Sequence, residues 1–184
     1  MTEKIWGILL RYVLASLSIL VLPVIYLIFR PLTSYPLFGI IKIFYPATIN
    51  SVTEIIIGSK IIEIIDPCIA GSAFLLLLIL NLLISIKFEK RIGLLALSFG
   101  MLYLTNLIRL VILSFMFIQG SGAFEFVHTF FWFFISVILV AGIWILSAKI
   151  MKIKEIPFYS DMKYLKSLKK KTEKTNNTNS SKSN

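Results

Sequence analysis

The sequence predicts an all-α integral membrane protein with about four transmembrane helices, and three observations carry that prediction. Hydrophobic residues make up 58% of the chain and charged residues 15%, against about half and about a quarter in a soluble domain. The apolar residues gather in runs of about the 20 residues that a bilayer-crossing helix needs. The basic residues cluster between and beyond those runs. A mean hydropathy of +0.89 agrees.

The runs cover 5–29, 69–86, 92–118 and 126–148. The first is interrupted only by Arg11 and Pro23. It is too long for a signal peptide and no small-residue cleavage site follows it, so an uncleaved helix is expected. The segment 30–67 is harder to assign. "PLFGIIKIFYPATI" (36–49) is apolar but short for a span and contains Lys42, which reads as an interfacial or re-entrant piece. "SVTEIIIGSKIIEIID" follows, with two β-branched runs flanking Gly58-Ser59. That pattern suits a small outward-facing hairpin, with a helix as the alternative.

Charge sets the expected orientation. Lys4 and Arg11 stand at the N-terminal end, Lys87, Lys90 and Arg91 join the second and third runs, and ten lysines lie from Lys149 onward. The segments on the other side hold only Arg30, Lys42 and Lys60. The positive-inside rule then puts both termini and the 87–91 connection in the cytoplasm, with 30–67 and "QGSGAFE" (119–125) outside. The net charge of +10 follows from this asymmetry and implies no nucleic-acid partner. Residues 149–184 form a basic, low-complexity cytoplasmic tail expected to be largely disordered. Its "NNT" and "NSS" triplets match the glycosylation pattern but would face the cytoplasm. No internal repeat, phosphate-binding glycine loop or HExxH motif is present, and neither a cofactor nor a metal is expected. One cysteine excludes an internal disulfide and a cysteine-based zinc cluster.

Three residues stand out once this topology is imposed: Cys68 at the outer start of the second run, Arg109 within the third, and His128, the sole histidine, at the outer start of the fourth. A lone cysteine at a helix start is usually a small hydrophobe, and a lone interfacial histidine usually an anchor. An arginine inside a span costs about 2.5–3.5 kcal/mol on insertion scales and normally faces a bundle interior with a partner. Arg109 lies nine residues before Ile118, about 13.5 Å of helix, so it meets Cys68 only if the third helix projects or the guanidinium snorkels. Asn106 and Thr105 fall on the same helical side as Arg109. Asn106 either orients the guanidinium or bonds between helices. Pro67 fits a helix start, whose N-terminus would favour a Cys68 thiolate. Gly71 and Ser72 either leave room for a substrate chain or tighten a helix contact. Cysteine, arginine and histidine together suit acyl transfer: nucleophile, oxyanion partner and proton shuttle. The competing class is a non-catalytic membrane scaffold or transporter subunit with Arg109 as an assembly or ion-path residue.

"DPCIAGSAF", "TNLIRLVIL" and "FEFVHTFFWF" together resemble the three core motifs of the exosortase/archaeosortase family, over roughly residues 50–148. The resemblance implies a membrane-embedded cysteine protease/transpeptidase with Cys68 as nucleophile, Arg109 as oxyanion or thiolate stabiliser, His128 as acid/base and Asn106 in support. It implies clients that are secreted proteins ending in a motif, a helix and a basic tail, a membrane lipid as acceptor, and an active site on the extracytoplasmic side of the cell membrane. With about four spans this chain looks like a minimal version, so which signal it reads is not implied.

Overall fold

The computed structural model describes residues 2–84, 86–131 and 136–153. The fold is mostly helical. Two helical segments, Leu9–Phe44 and Phe88–Ile118, are long and apolar enough to cross a membrane, and two shorter apolar helices, Gly71–Leu83 and Val137–Ile150, accompany them. Of the tail 149–184 expected to be largely disordered, residues 149–150 finish the last helix, and those beyond 153 lie outside the described residues.

The first run folds as helix α1 (Thr2–Leu17), a tight 3-10 turn (Ser18–Val21) and helix α2 (Leu22–Phe44). The turn has a local cause. Pro23 has no N–H for the Ile19 carbonyl four residues back, and the Leu22 N–H bonds that carbonyl instead, an i→i−3 bond of the 3-10 type. The Ser18 hydroxyl donates to the Ala15 carbonyl at 2.6 Å, a side-chain bond that competes with regular helix.

The helix does not stop at residue 29 as expected. It continues through Pro31 and Pro36 to Phe44. Pro36 cannot donate to the Leu32 carbonyl, and the Tyr103 hydroxyl supplies the missing donor at 2.8 Å. Burial of Thr33, Ser34, Leu37 and Ile41 holds this stretch helical. Residues 36–49 finish α2 and begin a strand.

The segment after α2 is not helical. Strands β1 (Ala47–Ser51), β2 (Glu54–Ile57) and β3 (Lys60–Glu63) form an antiparallel sheet in the order β1-β2-β3. The β2–β3 hairpin turns at Gly58-Ser59 as its sequence suggested, with Gly58 at φ +58°, a left-handed geometry that glycine adopts freely. The third strand adds what a lone hairpin lacks, a face to bury. Ile55 and Ile57 turn that face onto Leu37 and Ile41 of α2, together with Ala47, Ile64, Ile69 and Leu110.

After the sheet come a single-turn helix α3 (Asp66–Ile69), then α4 (Gly71–Leu83), α5 (Phe88–Ile118), α6 (Phe124–Phe130) and α7 (Ser136–Ile150). At one end of the bundle Arg11 donates to the Leu83 carbonyl and Arg91 to the Ile84 carbonyl, satisfying acceptors at the α4 C-terminus. At the other end α5 closes in a Schellman motif: Gly120 N–H bonds the Phe117 carbonyl and Ser121 N–H the Met116 carbonyl, with Gly120 at φ +68°. Lys60 beside the hairpin turn donates to the Phe117 and Ile118 carbonyls at 3.2 and 2.7 Å. The sheet is thereby pinned to the far end of α5. The helical bundle is held by Ile25, Phe74, Leu77, Leu102, Val140 and Ile143.

Candidate functional site

Cys68 sits on α3, and its main chain is tied on both sides. Its N–H bonds the Ile65 carbonyl at 2.8 Å, and its carbonyl accepts from Asn106 Nδ2 at 2.9 Å. Ala70 then adopts a left-handed conformation (φ 58°, ψ 32°) that an alanine accepts at a cost of order 1–3 kcal/mol. It separates α3 from α4. Cys68 is therefore not in the first turn of the long apolar helix, as the sequence had suggested, and a four-residue helix offers little dipole to a thiolate. Burial pushes the Cys68 thiol up from its ordinary range, and Arg109 pulls it back only in part.

Arg109 lies on α5 one turn beyond Asn106. Asn106 spends its amide on the Cys68 carbonyl, so it orients the cysteine's main chain. The depth difficulty is resolved by the sheet end of the molecule. With 31 residues, α5 is about 46 Å long, well beyond the roughly 30 Å of a hydrocarbon core. Cys68 packs on the same apolar cluster as Leu107, Leu110 and Val111, which brings the thiol to Arg109's level.

His128 comes from α6. Its ring stacks on Phe124 one helical turn earlier, with centroids 5.5 Å apart and planes 7° from parallel. That contact fixes the imidazole plane. Cys68, Arg109 and His128 all line one cavity of about 310 Å³, together with Tyr26, Pro67 and Ser72. A second cavity of about 170 Å³ also reaches Cys68 and His128, from the side of β3. The three residues singled out in sequence are thus brought together, each from a different element.

Gly71 and Ser72 divide between the two roles open to them. A Cβ on Gly71 would lie 2.5 Å from the Tyr26 ring, so that glycine admits a side chain of α2 and tightens a helix contact. Ser72 lines the larger cavity. The rim holds residues that sequence reasoning did not single out for the site. Asp66 pairs with Arg30 through both Nε and Nη2, and the Arg30 guanidinium lies 5.9 Å from the centroid of Tyr26. Asp66 carried one signal, its place two residues before the cysteine. Tyr26 carried none, because nothing in an apolar helix marks which face meets Gly71.

A thiol, a guanidinium and an imidazole around one cavity can supply a nucleophile, an anion partner and a proton carrier. Comparison of the chain with protein-family models, curated proteins and solved structures returned no match.

Proposed function

We propose that this chain is a membrane-embedded cysteine protease/transpeptidase of the exosortase/archaeosortase kind. It cleaves the C-terminal sorting signal of secreted surface proteins and transfers the new C-terminus to a lipid acceptor. The observation that carries this reading is the single cavity lined by Cys68, Arg109 and His128 from α3, α5 and α6. In this reading the chain crosses the cell membrane four times, through α1–α2, α4, α5 and the α6–α7 segment. Both termini are cytoplasmic, and the cavity opens on the extracytoplasmic side. The gathering of Arg11 and Arg91 at the α4 C-terminus, with Ala148 packed beside Ile84 and Leu94, supports that orientation, because basic ends face the cytoplasm.

The chemistry follows from the residues. Because burial favours the neutral thiol, His128 takes the proton as the Cys68 sulfur attacks the scissile carbonyl carbon. The carbonyl oxygen becomes an oxyanion beside the Arg109 guanidinium, whose charge is most valuable in a dry site. The intermediate collapses with loss of the amine, to which His128 returns the proton, leaving a thioester on Cys68. A hydroxyl or amine acceptor then attacks that carbonyl. His128 takes the acceptor's proton and hands it to the departing sulfur.

The test is co-expression with a secreted protein that ends in a motif, an apolar helix and a basic tail. Cys68→Ala, Arg109→Ala and His128→Ala should each slow client processing by about a thousandfold or more while the enzyme still accumulates. Mass spectrometry of the client's new C-terminus reads hydrolysis against transfer. Normal processing by Cys68→Ala would overturn the proposal. A silent Cys68→Ala beside an Arg109→Ala that fails to accumulate would point instead to a scaffold or transporter subunit.

A further inference from the structure

We infer that the free edge of β3 is a docking strand for substrate: an extended, apolar, non-acidic client segment pairs with it and is delivered to Cys68. The inference rests on the peptidase reading above and adds to it the form in which the peptide arrives.

The sheet order leaves β3 with one partner, β2, and among the described residues no strand pairs with its other side. The direction of its backbone groups follows from the register. Lys60, Ile61, Ile62 and Glu63 stand opposite Ile57, Ile56, Ile55 and Glu54, and the Ile64 N–H bonds the Thr53 carbonyl at 2.8 Å. Hydrogen-bonded and non-bonded pairs alternate along an antiparallel ladder. Ile62 and Lys60 therefore share the parity of Ile64 and bond to β2, while the N–H and C=O groups of Ile61 and Glu63 face away from the sheet. Those outward groups form a template for another strand. Edge strands are normally blunted, yet this one exposes Ile61 (58%), with Ile65 (42%) just beyond its end.

The row leads to the nucleophile. Two residues past Glu63, the Ile65 carbonyl receives the Cys68 N–H, so the edge ends on the turn that carries the thiol. From Ile61 to Ile65 is about 13 Å at 3.3 Å per residue, room for about four client residues. Beside the edge lies the cavity of about 170 Å³, lined also by Leu113, Phe117 and Phe124 and reaching Cys68 and His128. A cavity of about 150 Å³ holds a benzene ring, so this one takes one bulky apolar side chain. Among the described residues its one carboxylate is Glu63 and no lysine or arginine lines it, which disfavours acidic segments. With Lys60 fixed at the end of α5 and Cys68 beside Asn106, β3 descends toward the bundle. A client whose folded part lies outside and whose C-terminal helix lies in the membrane descends likewise, and pairs parallel to β3.

The experiment uses the full chain in nanodiscs and a Val-Leu-Val-Leu chloromethyl ketone, whose methylene is attacked by the Cys68 sulfur with loss of chloride. Chloroacetone, the same electrophile without a peptide, is the reference. The peptide is expected to alkylate Cys68 at least tenfold faster than chloroacetone. N-methylation of one set of alternate amides should remove that preference, and of the other set should leave it. Ile61→Pro and Glu63→Pro remove outward N–H groups and leave the bonds to β2 intact, a change that an edge strand tolerates. They should abolish the preference and leave the chloroacetone rate unchanged. An equal rate for peptide and chloroacetone on the unaltered chain overturns the inference, as does a preference that survives every N-methyl pattern. Should the proline variants misfold and change the chloroacetone rate, the N-methyl series on the unaltered chain decides. Failure of the peptidase reading is distinguished separately, by client processing that persists in Cys68→Ala.

Discussion

At the scale of single residues, the site turns on a conflict at Cys68. Burial disfavours the thiolate, and Arg109 favours it without prevailing. Alkylation of Cys68 should therefore accelerate with rising pH through an inflection above the ordinary thiol range. Removing the guanidinium removes the influence that lowers the thiol, so Arg109→Met should move the inflection higher still, measured as the pH dependence of monobromobimane reaction. An unchanged or lower inflection would show that the guanidinium does not act on the sulfur. Asn106 acts through the main chain. Asn106→Leu leaves the half-buried Cys68 carbonyl without its donor, a loss of about 1 kcal/mol, and on the peptidase reading should slow client processing about tenfold with the thiol's pH profile unmoved. The identities of Cys68, Arg109, His128 and Asn106 were all readable from the sequence as residue types rare within apolar runs. The direction of Asn106's bond was not, because spacing places it on a face shared with Arg109 and says nothing of the neighbouring α3 carbonyl.

At the scale of elements, helices are kept or broken by partners far away in sequence. Tyr103 replaces the donor that Pro36 denies to Leu32. Tyr103→Phe should destabilise the protein by about 1 kcal/mol, and the same change should cost close to nothing in a Pro36→Ala background, where the backbone N–H returns to Leu32. Equal losses in both backgrounds, read by thermal unfolding in detergent, would refute the assignment. Gly71→Ala places a methyl against the Tyr26 ring and should cost about 1–3 kcal/mol by overpacking. Tyr26→Ala should relieve that cost. Helix α2 illustrates why element boundaries escaped sequence reasoning. Two prolines argue for an end near residue 30, and burial of Leu37 and Ile41 beneath the sheet, with the Tyr103 bond to Leu32, overrides them. The hairpin at Gly58-Ser59 was readable because its turn chemistry is local. The strand β1 was not, since "ATINS" becomes a strand by pairing with β2.

At the scale of the whole molecule, one end of the bundle carries arginines on helix carbonyls and the other carries the sheet and the cavity. If the basic end is cytoplasmic, a membrane-impermeant maleimide added to intact cells should label Cys68, and its loss in Cys68→Ala should remove the signal. Labelling only after permeabilisation would invert the topology. Helix α5 links the two ends. Its excess length over a hydrocarbon core lets Arg109 stand at the level of Cys68 while the residues beyond it support β3 through Lys60.

By itself the sequence determined that the chain is rich in membrane-length apolar runs and where the basic residues fall. It also marked the few polar residues within or beside those runs. These are properties of composition and local order, because transfer of apolar surface from water depends on the residues present and not on their partners. Only the tertiary structure decided that α2 runs on through two prolines, that a third strand completes a sheet over α2 and α5, and that Ala70 detaches Cys68 from the helix after it. Only it brought the three candidate residues to one cavity. Each of those outcomes depends on contacts between segments tens of residues apart, whose burial and hydrogen bonds outweigh local preference.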